Sequence, residues 1–156
     1  MKLLLDAPVN DLSFGNVTLN LIKEFKKKNV ELGIFPTRGV VNVSSFDLDQ
    51  EILSYIEDGI NNRYSFLKQD IPALKLWHLD GAEERKASNQ FLFTFYECSE
   101  PTDIEVAIAN CQNKTIFSSQ YSRDLFREKG CNKSESVTLG FDDDFKVIDG
   151  AGLDGV

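Results

Sequence analysis

Apolar and polar positions along this chain alternate between two periods, and each change of period marks an element. Short apolar runs of strand length stand at residues 2–6 (KLLLD), 31–35 (ELGIF), 74–77 (LKLW), 91–95 (FLFTF), 115–117 (TIF) and 136–139 (SVTL). Between them lie stretches with helical spacing. Val17, Leu21, Ile22 and Phe25 form an apolar stripe that predicts a helix over 15–29, and Ile52, Tyr55, Ile56 and Ile60 predict a longer one over 49–68, ending before Pro72. Shorter helices are expected at 103–110 and 120–129. This strand–helix rhythm specifies an α/β fold, a Rossmann-like three-layer doubly wound sheet that is mostly parallel, with helices on both faces. Residues 1–145 are expected to form that one domain, and 146–156, which include the glycine-rich GAGLDGV, a tail or truncated linker.

Composition narrows the function classes. A chain of 156 residues that is 42% hydrophobic and 27% charged has enough apolar material for a single core. Its net charge of -8 repels a phosphate backbone, and the one basic cluster, Lys26, Lys27 and Lys28, lacks interleaved aromatics, so nucleic acid is not an expected partner. Those lysines fall in the last turn of a predicted helix, where they meet the negative end of its dipole. The opening apolar run stops at Asp6 and Pro8, too short for a secretory leader or a transmembrane segment, which points to the cytoplasm. Cys98, Cys111 and Cys131 match neither a zinc pattern nor a disulfide framework and read as reduced thiols.

In a doubly wound sheet, ligands bind beyond the carboxyl ends of the strands, so the residues that follow each strand are the candidates. After the first strand comes the polar turn DAPVNDLSFGN, in which Phe14, Gly15 and Asn16 are positioned to meet a ligand at the start of a helix. A GxGxxG fingerprint is absent, which disfavours dinucleotide binding of the dehydrogenase kind. His78, the single histidine, follows LKLW, and Tyr96 and Glu97 follow FLFTF. No metal-ligand spacing surrounds His78. Ser118 and Ser119 follow TIF and precede a helix, where one of them caps the free amides and both border the expected crevice. Glu97 and Glu105 have seven residues between them, a spacing that two acids among 25 meet by chance.

The closing segment, SSQYSRDLFREKG followed by SVTLGFDDDF, resembles the end of the N-terminal domain of glycosyltransferase family 4 (group 1) and its GT-B fold relatives, with Ser119, Phe126, Gly130, Val137, Gly140 and Asp142 carrying the likeness. The first βαβ stretch, FGNVTLNLIKEFKKKNVELGIFP, is similar to the same family's opening unit, and WH followed by FTFYE to its paired strand ends. The resemblance implies a single lobe of a GT-B fold, the lobe that binds a carbohydrate or glycolipid acceptor. The nucleotide-sugar donor is expected to need a second lobe, so the chain alone is expected to be an inactive fragment of a hexosyl transferase with no cofactor or metal of its own. On this likeness Gly15 corresponds to the glycine of the loop between lobes and His78 to a polar residue at a strand end. Tyr96 departs from the histidine that many members carry, leaving His78, Tyr96 and Glu97 as candidate catalytic residues. Two other expectations stand beside it: a stand-alone flavodoxin-like binding or interaction module, and association of the lobe with a second lobe or as a homodimer through an exposed apolar face.

Overall fold

The computed structural model of the chain describes residues 1–140. The boundary at 145, the tail at 146–156 and the acidic residues Asp142, Asp143 and Asp144 lie outside the described residues. Ten elements follow one another: β1 (Lys2–Val9), α1 (Ser13–Lys27), β2 (Glu31–Val41), α2 (Gln50–Leu67), β3 (Ala73–Leu76), β4 (Gln90–Thr94), α3 (Asp103–Cys111), β5 (Lys114–Phe117), α4 (Gln120–Glu128) and β6 (Ser134–Ser136). The strands form one sheet in the order β2-β1-β3-β4-β5-β6, and every pairing is parallel. This is a Rossmann-like α/β fold. The chain order reverses between β1 and β3, which makes the gap beyond their carboxyl ends the topological switch point.

Registers show what covers each face. Leu3 and Leu5 stand level with Leu32 and Ile34, and these side chains join Leu19 and Ile22 of α1 in one cluster. The opposite face packs Leu92 and Phe117 with Val106 and Ala109 of α3 and Phe126 of α4. Because β1 is covered on both sides, it reads as a continuous apolar run instead of an alternating one. The long helix α2 does not lie on a face as expected; it closes the edge of the sheet. Its Ile52 and Ile56 join the α1 side while Phe66 joins Leu4 and Ala73 on the other, and a Cβ on Gly59 would come within 2.7 Å of Ile34. That close approach covers the unpaired rim of β2, a surface that otherwise invites strand addition.

Several boundaries differ from the sequence expectation, each for a local reason. β1 runs three residues past Asp6, through Pro8, because its pairing with β3 stops at Asp6 and its register with β2 shifts between Ala7 and Val9, so the missing proline N–H costs no regular ladder bond. β2 continues to Val41 through an irregular turn in which Arg38 (φ 58°) and Gly39 (φ 70°) both take left-handed backbone. The last strand forms at Ser134–Ser136, two residues before the position where the apolar pattern put it, since Thr115, Ile116 and Phe117 pair with Ser134, Glu135 and Ser136. Val137 and Leu139 are exposed. Among the described residues no helix is long and apolar enough to cross a membrane.

Parallel strands need a long crossover, usually a helix. Between β3 and β4 residues 77–89 make that connection without one, and buried side chains hold its backbone instead. Lys75 pairs with Asp6, its register partner, at 3.3 Å and donates to the carbonyls of Gly81 (2.8 Å) and Glu84 (3.1 Å). Gln112 donates to the carbonyl of Ala82 at 2.8 Å, and Gln90 donates to Gln112 at 3.1 Å while accepting from the Lys86 N–H at 3.0 Å. All four side chains are buried. Their polar groups are satisfied by one another and by the loop backbone, the condition under which burial is tolerated.

Candidate functional site

A cleft of about 930 Å³ opens at the carboxyl end of the sheet, over the switch point. Ser13 and Phe14 reach it from the first turn of α1, Arg38 from β2, Trp77 to Asp80 from the end of β3, Phe95 to Cys98 from the end of β4, and Glu105 from α3. Its volume falls in the range of small-molecule sites.

Phe14 organises the apolar wall. Its ring lies 5.7 Å from that of Trp77, 4.6 Å from the His78 imidazole and 4.7 Å from Phe95, the last two edge to face. Such contacts each add about 0.5–1.5 kcal/mol beyond area burial. The next residue, Tyr96, turns to the α4 side, where its ring meets Phe126 edge-on at 4.9 Å. The Tyr96 hydroxyl is 3.5 Å from a Glu105 carboxylate oxygen. Desolvation, with the Glu105 charge next, pushes its pKa up to about 12, so this hydroxyl keeps its proton and remains a donor at neutral pH.

The polar groups of the cleft divide into committed and free. Glu105 accepts from the Thr102 N–H at 2.8 Å and the Thr102 hydroxyl at 2.9 Å, completing the capping box of α3. Among the described residues, by contrast, Arg38, His78, Asp80 and Glu97 have no hydrogen bond or ion pair to the protein, and all four are exposed. The first turn of α1 carries no acidic residue and its N-cap, Leu12, supplies no side-chain acceptor.

Four of the eight residues expected from sequence line this cleft: Phe14, His78, Tyr96 and Glu97. The other four are placed elsewhere. Gly15 is buried, and a Cβ there would sit 2.0 Å from the Asn10 carbonyl oxygen, so its hydrogen is needed for the turn to fold back on itself. Asn16 faces a separate groove of about 420 Å³ between α1 and residues 137–140. Ser119 is taken up as the cap of α4, accepting from the Ser122 N–H at 3.1 Å and bonding the Ser122 hydroxyl at 2.8 Å. Ser118 donates its N–H to the Thr94 carbonyl at 3.2 Å. Arg38, Trp77 and Asp80 were not singled out from sequence. Trp77 and Asp80 flank the histidine that was, and were open to the same strand-end argument; Arg38 lies beyond the predicted end of its strand, and only its neighbour Gly39 hinted at a turn.

Among the described residues no group of three or more histidine, cysteine or acidic side chains is arranged to hold a metal ion. Cys98 is at the cleft, Cys111 is exposed elsewhere, and Cys131 is buried with its thiol pKa raised by desolvation; none is disulfide-bonded. The chain matches no family model, no curated protein and no solved structure.

Proposed function

We propose that this chain is the acceptor-binding lobe of a cytoplasmic glycosyltransferase resembling family 4, which receives a carbohydrate or glycolipid acceptor and relies on a second lobe for the nucleotide-sugar. The observation that carries the reading is the composition of the cleft: a wall of rings beside polar side chains that have no hydrogen-bond or ion-pair partner among the described residues. A pyranose presents C–H groups on its faces and hydroxyls around its rim, and this pairing of apolar surface with unsatisfied donors and acceptors suits it. In this reading His78 and Glu97 face the reacting hydroxyl, where either can accept its proton, and the Tyr96 hydroxyl donates to a sugar oxygen. The leaving phosphate is met by groups of the second lobe.

The chain's single tryptophan, Trp77, lies in the cleft wall, so its fluorescence is a direct reporter. Titrating sugars and glycosides into the purified protein should shift or quench that emission saturably, with the effect reduced in Phe14→Ala, and nucleotide-sugars should not be hydrolysed. Silence with every saccharide tested would remove the proposal. A second reading has one observation in its favour: the first five strands follow the 2-1-3-4-5 order of flavodoxin-like binding modules. As a phosphoreceiver it lacks support, since Asp6 is buried and neutralised by Lys75, out of reach of a phosphodonor. As a binding or interaction module without catalysis it predicts no saccharide response at Trp77.

A further inference from the structure

We infer that the sugar taken by this cleft is uncharged, and that phosphorylated or carboxylated sugars are excluded from it; this deepens the acceptor-lobe proposal and rests on it. The argument is one of donor and acceptor supply. Ionised carboxylates only accept hydrogen bonds, so a ligand that displaces water from the exposed oxygens of Asp80 and Glu97 has to meet them with donors. Sugar hydroxyls are donors, whereas a phosphate or carboxylate at neutral pH brings more acceptors and leaves both sides unpaired. Hydrogen bonds to charged acceptors are the stronger kind, which rewards a hydroxyl-rich rim further.

Charge points the same way. Asp80, Glu97 and Glu105 face the cleft, against one arginine, Arg38, and the partial positive charge of the α1 N-terminus. The balance stays negative, and it sits within a chain of net charge -8. Arg38 is exposed at the rim on its irregular turn, and no second cation lines the cleft beside it among the described residues. A single unburied arginine among three carboxylates is poorly placed to hold a dianion.

The test compares hexosides with the matching hexose 6-phosphates and hexuronates, reading Trp77 fluorescence with the full chain at low and at moderate salt. Neutral sugars should bind about tenfold or more tightly than their charged counterparts, the ratio expected for one net like-charge contact near a protein surface. That ratio should shrink as salt rises. In the double variant Asp80→Asn with Glu97→Gln it should move towards one, and because both positions are exposed, circular dichroism should show the fold intact. Phosphorylated sugars binding as tightly as neutral ones to the unmodified chain would overturn the inference while leaving the acceptor-lobe proposal standing. An unchanged ratio in the double variant would also overturn it. Failure of every sugar, charged or not, would remove both.

Discussion

Replacing Lys75 by methionine tests the idea that the cleft wall is held from beneath. The substitution keeps the length and most of the apolar stem but deletes the ammonium that pairs with Asp6 and supplies the carbonyls of Gly81 and Glu84. Asp6 is only 7% exposed, so it would be left as a buried carboxylate without its counter-charge. Removing one member of such a pair costs about 3–5 kcal/mol. Domains of this size have roughly 5–15 kcal/mol of stability in total, so the change should be large in urea denaturation and short of complete unfolding. In an Asp6→Asn background the carboxylate penalty is gone: the substitution there orphans the two carbonyls but also removes an ammonium that is itself buried without a counter-charge. Lys75→Met should therefore cost less in that background than in the native chain, by roughly the 0.5–3 kcal/mol that contacting partners of one network show in a double-mutant cycle. Trp77 adjoins the loop that these bonds fix, so its emission should shift towards that of exposed tryptophan in the single variant. A cost below about 1 kcal/mol, or equal costs in the two backgrounds, would refute the account of Lys75 as both counter-ion and anchor.

Three further outcomes are expected. Gly15→Ala should lose about 1–3 kcal/mol in denaturation despite alanine's better helix propensity, because the added methyl meets the Asn10 backbone and forces the turn apart; equal or greater stability would show that the contact relaxes freely. Ser119→Ala should cost about 1 kcal/mol by uncapping α4 and leave saccharide affinity unchanged, whereas an affinity loss without a stability loss would mean that the serine faces ligand. The Tyr55 and Tyr96 hydroxyls both sit at about 12 against an ordinary 10.0, so the folded state holds those protons more tightly than the unfolded one. Stability measured across alkaline pH should accordingly show their contribution intact below pH 10 and falling as pH rises through 10 to 12, and a decline beginning well below 10 would point to other groups.

The sequence was most legible where one physical rule governed a stretch by itself. Ser119 before a helix, and Ile52 and Ile56 on one stripe, behave as local chemistry dictates. Strand ends were legible in part: they delivered Phe14, His78, Tyr96 and Glu97 to one cleft, while Gly15, Asn16, Ser118 and Ser119 are placed elsewhere. What failed to show depends on partners far away in sequence. Lys75 reads as a polar interruption of an apolar strand until Asp6 is known to lie beside it. Gly15 reads as a ligand-approach glycine until Asn10 fills the space beneath it. The carriage of α2 along the sheet edge follows from Gly59 meeting Ile34, a fit that periodicity along the helix cannot express. Arg38 was hidden by an irregular turn that prolongs β2 past its apolar run.

The helix-free crossover at 77–89 separates two burdens that most loops carry together. Lys75, Gln90 and Gln112 grip it through carbonyls, which every residue type possesses, and one amide, which all but proline possess. Outward-facing positions such as Asp80 and Glu83 can consequently be exchanged without disturbing what fixes the loop's path. Selectivity at this rim is thus free to drift by point substitution, or to be redesigned by hand, while the foundation under it stays constant.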